Sequence, residues 1–203
     1  MARLITDGAE SGDLLRLAYT NVVSVSATVR TGCGGTYSYR YGNQGNNEQI
    51  HYNLVSAIGE FYLRFAVRTQ TPNLYKILSW QTSGGTVIGS LKIESIYGSI
   101  KTLGVYDSTT QRVVSSDILW ASDDWHVIEL HVKIAASPSG VFTLKFDGHT
   151  IADFSGATNT AGSTCQRFVF HSIAQFILFD FMDDFAINDT SGAVDNSWVG
   201  DGG

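Results

Sequence analysis

The hydrophobic positions of this chain recur at every second residue. Across 61–68, Phe61, Leu63, Phe65 and Val67 fall on one side while Tyr62, Arg64 and Arg68 fall on the other, which is the alternation of a strand with one buried face. After Trp125 the pattern repeats, with Ile128, Leu130, Val132 and Ile134 pointing inward and Glu129, His131 and Lys133 outward. Within 141–147, Phe142, Leu144 and Phe146 alternate with Thr143 and Lys145. Turn residues separate these runs: Ser137-Pro138-Ser139-Gly140 divides the second from the third, and Asp147-Gly148 closes the third against 151–154, so hairpins follow. The same alternation and punctuation predict strands over 36–41, 48–53, 74–81, 86–94, 101–106, 167–172 and 175–188, and loops over 32–35, 42–47, 83–85 and 157–163. No stretch of ten or more residues carries a helical period. About a dozen evenly spaced strands, each wet on one face, predict an all-β fold: a two-sheet antiparallel jelly-roll sandwich. The domain spans 1–189 with its N-terminal arm, and an extended tail follows over 190–203.

Composition agrees with this and narrows the partners. Among 203 residues there are 21 glycines and 2 prolines, and charged residues make up 16%, against roughly 25% in an average globular protein. Thirteen basic and 19 acidic residues give a net charge of −6, which argues against nucleic-acid phosphates and anionic membranes as ligands. No apolar run approaches the roughly 20 residues of a membrane-spanning helix. The start, Met1-Ala2-Arg3-Leu4-Ile5-Thr6-Asp7, is too polar for a signal peptide, so synthesis in a cytoplasm without export by that route is expected. Cys33 and Cys165 lack metal-binding spacing and read as two free thiols in a reducing cytoplasm, with a disulfide after release from a cell as the alternative.

Three passages resemble the concanavalin A-like lectin/glucanase superfamily, and in particular its laminin G-like jelly rolls. Gly59-Glu60-Phe61-Tyr62-Leu63-Arg64-Phe65 is similar to their long early strand, and Asp124-Trp125-His126-Val127-Ile128-Glu129-Leu130 to their Trp-His strand. The run from Gly140 to Asp147-Gly148 is similar to the hairpin that follows. A second resemblance concerns the ends. The stretch from Met182-Asp183-Asp184 to Trp198-Val199-Gly200-Asp201 resembles a tail found in structural proteins of tailed bacteriophages. Leu4-Ile5-Thr6-Asp7-Gly8-Ala9-Glu10-Ser11-Gly12 is similar to the opening of the same domains, with Ala9 where an aromatic is usual. This implies a non-enzymatic virion structural protein, a head decoration or a tail or fibre component, made in the host cytoplasm and residing in the virion. Its partners would be other virion proteins, as a homo-oligomer or as capsid or tail subunits, with host glycan adhesion through outward loops. The alternative is a carbohydrate-binding lectin module of a receptor-binding fibre, and a glycoside hydrolase ranks third.

Candidate chemistry follows from the same strands. A glucanase needs carboxylates at alternate positions of one strand. The nearest arrangement, Asp180-Phe181-Met182-Asp183-Asp184, has Met at its centre and Asp at both ends, so no catalytic residue is assigned. Alternation from Phe179 through Ile187 places Asp183 among apolar positions, where a carboxylate needs hydrogen-bond donors or a cation. Asp7, Glu10, Asp183 and Asp184 are the candidate ligands of a structural calcium ion, an oxygen-donor set that the jelly-roll resemblance also implies. Alternatively, backbone amides or Arg3 satisfy Asp183, or a β-bulge turns it outward. Sugar rings stack on exposed aromatics, and Tyr37, Tyr39, Tyr41, Tyr52, Tyr97, Tyr106 and Trp120 lie in expected rim loops. Tyr39, Tyr41 and Trp120 are the carbohydrate-binding candidates, beside the alternative that such rings fill the sandwich or an interface. Residues 1–13 and the tail with Trp198 and Val199 are the candidate partner-docking segments. The five histidines show no metal-ligand spacing on one face.

Overall fold

The computed structural model describes residues 3–7, 18–20, 23–28, 36–41, 49–69, 76–171, 180–190 and 198. Among them there is no helix, and sixteen strands follow one another. They are β1 (Arg3–Asp7), β2 (Ala18–Thr20), β3 (Val23–Ser26), β4 (Ser38–Tyr41), β5 (Gln49–Ile58), β6 (Glu60–Thr69), β7 (Lys76–Gln81) and β8 (Val87–Tyr97). Then come β9 (Ile100–Asp107), β10 (Thr110–Val114), β11 (Ile118–Leu119), β12 (Trp125–Lys133), β13 (Gly140–Phe146), β14 (His149–Gly156), β15 (Cys165–His171) and β16 (Asp180–Asp189).

They form two antiparallel sheets. In the first the order is β14-β13-β12-β6-β16-β4-β3, with β1 also paired to β16. In the second it is β10-β9-β8-β7-β15-β5-β2, with β11 paired to β9. Register follows the hydrophobic alternation: Phe61, Leu63 and Phe65 of β6 face Val132, Leu130 and Ile128 of β12, so both strands bury the same side. Aromatic rings lock one sheet to the other. Phe61 meets Phe168 edge-on at 4.9 Å, and Phe65 meets Phe170 at the same distance, a geometry that adds about 1 kcal/mol per pair beyond burial. The expected Asp147-Gly148 turn joins β13 to β14 with φ of 49° and 81°, the two positive values that a tight hairpin matching strand twist requires. Gly89 of β8 lies under the indole of Trp80, and a Cβ there would stand 2.3 Å from the ring.

One expectation about β16 is corrected. Its pairing with β6 shifts between Asp183 and Ala186, and Asp184 in the shift has φ of 51°. Met182 joins the core before this bulge, and Phe185 and Ile187 join it after. Asp183 therefore leaves the inward set and pairs with Ala66 on the other side of the sheet, because one extra residue reverses a period of two. It is buried there, and its Oδ1 accepts the Asp184 amide at 2.9 Å. The same bulge breaks the period that would have put Asp180 and Asp184 on one face.

Candidate functional site

The second sheet turns a polar face away from the core. In β5 the core takes Ile50, Tyr52 and Leu54, and in β15 it takes Phe168 and Phe170, so Gln49, His51 and Asn53 point the other way with Arg167, Val169 and His171. Register extends this face across the sheet. His51 pairs with Val169, Val169 with Ser79, Ser79 with Ser90, and Ser90 with Tyr106, giving one row across five strands. Ser79, Ser90 and Val169 are buried although they point away from the core, so the row is sheltered at its centre and open at Tyr106.

Side chains on this face are joined by a directed set of hydrogen bonds. His51 Nε2 donates to Gln49 Oε1 at 2.9 Å, and Gln49 Nε2 donates to His171 Nδ1 at 3.3 Å. His171 Nε2 then donates to Ser79 Oγ at 3.0 Å, which also accepts Gln81 Nε2 at 2.9 Å. Both imidazoles are neutral in this arrangement. Burial, then the nearby Lys76 and His51, press the His171 pKa down to about 3; burial, then Arg167, lower that of His51. Protonating His171 would aim a second N–H at the Gln49 amide, forcing that amide to turn over and His51 to change tautomer. Ser79, with two donors already on its oxygen, keeps its own hydroxyl hydrogen to offer.

The far end of the row is built around Tyr106. Its hydroxyl accepts Gln111 Nε2 at 3.0 Å, and Lys92 Nζ sits 3.7 Å from the ring centroid. Burial, then hydrogen bonding to and the charge of Glu94, push the phenol up to about 12. Glu94 lies over Gly104, where a Cβ would come within 2.6 Å of the Glu94 side chain. At the opposite corner Arg167 Nε donates to Asn53 Oδ1 at 3.0 Å. Amides, hydroxyls, neutral imidazoles and a half-exposed phenol thus share one surface, with Lys76, Lys92 and Arg167 among them.

The residues expected to bind sugar are elsewhere. Tyr39, Tyr41 and Trp120 are 2%, 1% and 0% exposed, which corrects their assignment: a ring enclosed by the sandwich has no face left for a sugar. Burial, then Asp180, raise the Tyr41 pKa well above the usual phenol range. Tyr52 is also in the core, whereas Tyr37 and Tyr97 are exposed. Of the calcium candidates, Asp7 lies in β1 opposite Phe185, Asp183 precedes the bulge and Asp184 lies in it, and Glu10 lies outside the described residues. Among the described residues no group of three or more His, Cys, Asp or Glu side chains is placed to hold a metal ion. Trp198 meets its own chain: its ring is 5.4 Å from Tyr62 and lies under Lys145 Nζ at 3.7 Å, on the outer face of the first sheet. Val199 and Cys33 lie outside the described residues, and Cys165 is a buried free thiol.

Sequence reasoning missed the polar face. Gln49 and His51 at alternate positions were legible as one side of β5, but His171 and Ser79 join them only through a register that brings β15 between β5 and β7.

No protein-family model matches this chain, and no curated protein matches it in sequence. Solved structures do match in fold. An endo-β-1,4-glucuronan lyase from the fungus Trichoderma reesei superposes with a TM-score of 0.66 at 16% identity, over 97% of this chain and all of its own. A cellulose-induced protein, Cip1, gives 0.68 at 15% identity with the same coverage. An alginate lyase solved with an alginate tetrasaccharide gives 0.51 at 13% identity, covering 75% of this chain and 80% of its own. At these identities the likeness shows the jelly-roll fold alone. The expectation of a virion structural protein is corrected: the structures that match along nearly the whole chain are a glucuronan lyase and a cellulose-induced protein, and neither is a virion component.

Proposed function

We propose that this protein binds carbohydrate on the outward face of its second sheet, at the partly exposed side chains around its buried centre, and that it acts by binding. The observation that carries this is the hydrogen-bonded row from His51 through Gln49 and His171 to Ser79 and Gln81. Carbohydrate recognition uses fixed amides and hydroxyls against sugar hydroxyls, with an aromatic face beside them. Here the polar groups are held by one another across three strands, so little side-chain freedom is lost when a ligand arrives. Tyr106 and the open end of the row supply the ring. The polysaccharide-related neighbours support the same reading.

Two groups of this face hold one protonation state near neutrality. A general acid or base works best with a pKa near the operating pH. Tyr106 keeps its proton up to about 12 and His171 takes none until about 3, so both serve as hydrogen-bonding groups near neutrality.

The test is affinity electrophoresis or glycan-array binding with the intact chain and face variants. Retention on at least one polysaccharide, lost in Gln49→Ala and in Tyr106→Ala but kept in Tyr62→Ala on the opposite sheet, is the expected result. Absence of binding to every glycan, or equal loss in all three variants, would overturn the proposal.

A further inference from the structure

Lys76 of β7 and Lys92 of β8 are register partners on the polar face. Like charges directly opposite one another destabilise a sheet pair, yet among the described residues neither lysine meets a carboxylate. Lys92 is turned over the Tyr106 ring at 3.7 Å, and Lys76 lies close enough to His171 to depress its protonation. Arg167, bonded to a neutral amide, lies four residues along β15 from His171, about 13 Å away at roughly 3.3 Å per residue. Set against these three cations, Glu94 is the one carboxylate described on the strands' polar side, and it is engaged with Tyr106. A chain with net charge −6 has concentrated positive charge where its hydrogen-bonding groups converge. Desolvation already lowers the pKa of Lys76, and Lys92 lowers it further, so an anion between the two lysines would relieve their mutual repulsion.

Resting on the proposed glycan-binding reading, we infer that the ligand is an acidic polysaccharide, a uronate-containing chain whose carboxylates are held at the Lys76–Lys92 pair and at Arg167. Because these two positions are well separated along the strands, one chain must carry carboxylates on several residues to engage both. A single uronic acid engages one position only. The less buried amides of the same face, Gln49 and Asn53, take the sugar hydroxyls, and the buried Ser79 and Gln81 hold the row in place from beneath.

The experiment measures binding of the full chain to polyglucuronate, alginate and polygalacturonate, to the same polymers after carboxyl reduction, and to polyphosphate as a non-sugar polyanion. At least one polyuronate is expected to bind about tenfold or more tightly than its reduced form, and to weaken as salt is raised. Lys76→Ala with Lys92→Ala should lose about tenfold, and Lys92→Arg should retain most of the affinity. Glu94→Gln removes the local negative charge and should strengthen binding, a gain that misfolding cannot imitate. Equal binding of native and reduced polymers would overturn this inference while leaving glycan binding intact. Equal binding of polyphosphate would overturn it in favour of a general polyanion surface. Failure of every polymer to bind would overturn this inference, and the glycan-binding proposal falls with it only if the glycan array is blank as well.

Discussion

His171 gives the face a measurable signature in stability. In the unfolded chain its imidazole takes a proton near the usual 6.5, whereas in the fold it stays neutral down to about 3. Between those values the unfolded state binds more protons, so stability present above pH 6.5 is lost as pH falls. The slope for one proton is about 1.4 kcal/mol per pH unit. Lowering the pH from 6.5 to 5.0 should therefore cost up to about 2 kcal/mol, a ceiling because solvent reaches part of the ring, with His51 adding in the same direction. Urea unfolding at pH 7.5, 6.5, 5.75 and 5.0 reads this directly, in a window above the range where most carboxylates titrate. His171→Gln keeps a hydrogen-bonding amide but cannot titrate. It should cost about 1 kcal/mol at pH 7.5 for imperfect replacement of two bonds, and should flatten most of the slope below pH 6.5. If wild type and His171→Gln lose the same stability over this window, the neutral, partnered imidazole described above is wrong.

Three further substitutions test the frame that holds the face. Gly89→Ala should destabilise by about 2 kcal/mol, because the new methyl collides with a fully buried Trp80 that has nowhere to move; a thermal midpoint within error of wild type would refute this. Asp107 is fully buried, bonded to Arg112 at 2.9 Å and to the Thr160 amide at 3.0 Å. Asp107→Ala should cost about 3 kcal/mol in denaturant unfolding, and a loss below about 1 kcal/mol would show that the carboxylate carries little. Trp198→Ala removes the ring beneath Lys145 and beside Tyr62 and should lose about 1 kcal/mol, with glycan binding unchanged. Altered binding in that variant would place the ligand on the first sheet instead.

Most of the sandwich was legible because its strands obey a single rule. Phe61 to Val67, Ile128 to Val132 and Phe142 to Phe146 alternate without interruption, and each became a strand with the expected face inward. The rule failed where a strand contains a bulge. In β16 the period reverses at Asp184, and no local feature of Met182-Asp183-Asp184-Phe185 distinguishes an unbroken alternation from one with an inserted residue. It also missed β10 and β11. Thr110–Val114 puts only Val113 and Val114 together after three polar residues, and Ile118–Leu119 is two residues long, so pairing with β9 creates these strands more than their own pattern does. The aromatic candidates failed for a related reason. Tyr39 and Tyr41 sit at alternate positions of β4, the same spacing that marks a core face, and a tyrosine in such a place is as easily buried as displayed.

Net charge misled in a different way. A total of −6 excludes little about any one surface, since attraction of a ligand depends on the charges within about a Debye length of it, near 10 Å at moderate salt. Lys76 and Lys92 are sixteen residues apart in sequence, and Arg167 lies 75 residues beyond Lys92, so no sequence window collects them. The strand order β8-β7-β15-β5 does, placing all three on the side where Gln49, His51, His171 and Ser79 are already bonded together. That coincidence joins two requirements of an acidic-glycan site: fixed neutral groups to match sugar hydroxyls, and separated cations to match carboxylates. Neutral imidazoles suit the arrangement physically. Two charged histidines beside three cations would add repulsion to a face that is partly closed to solvent, whereas neutral rings supply directed hydrogen bonds at no electrostatic cost. The protonation of His171 and the charge of the lysines are therefore one balance, and Lys76→Met should raise the His171 pKa from about 3, read by the pH dependence of its ring resonances. A His171 titration unchanged by that substitution would mean that desolvation alone keeps the ring neutral, and that the lysine pair exerts no field on the rest of the face.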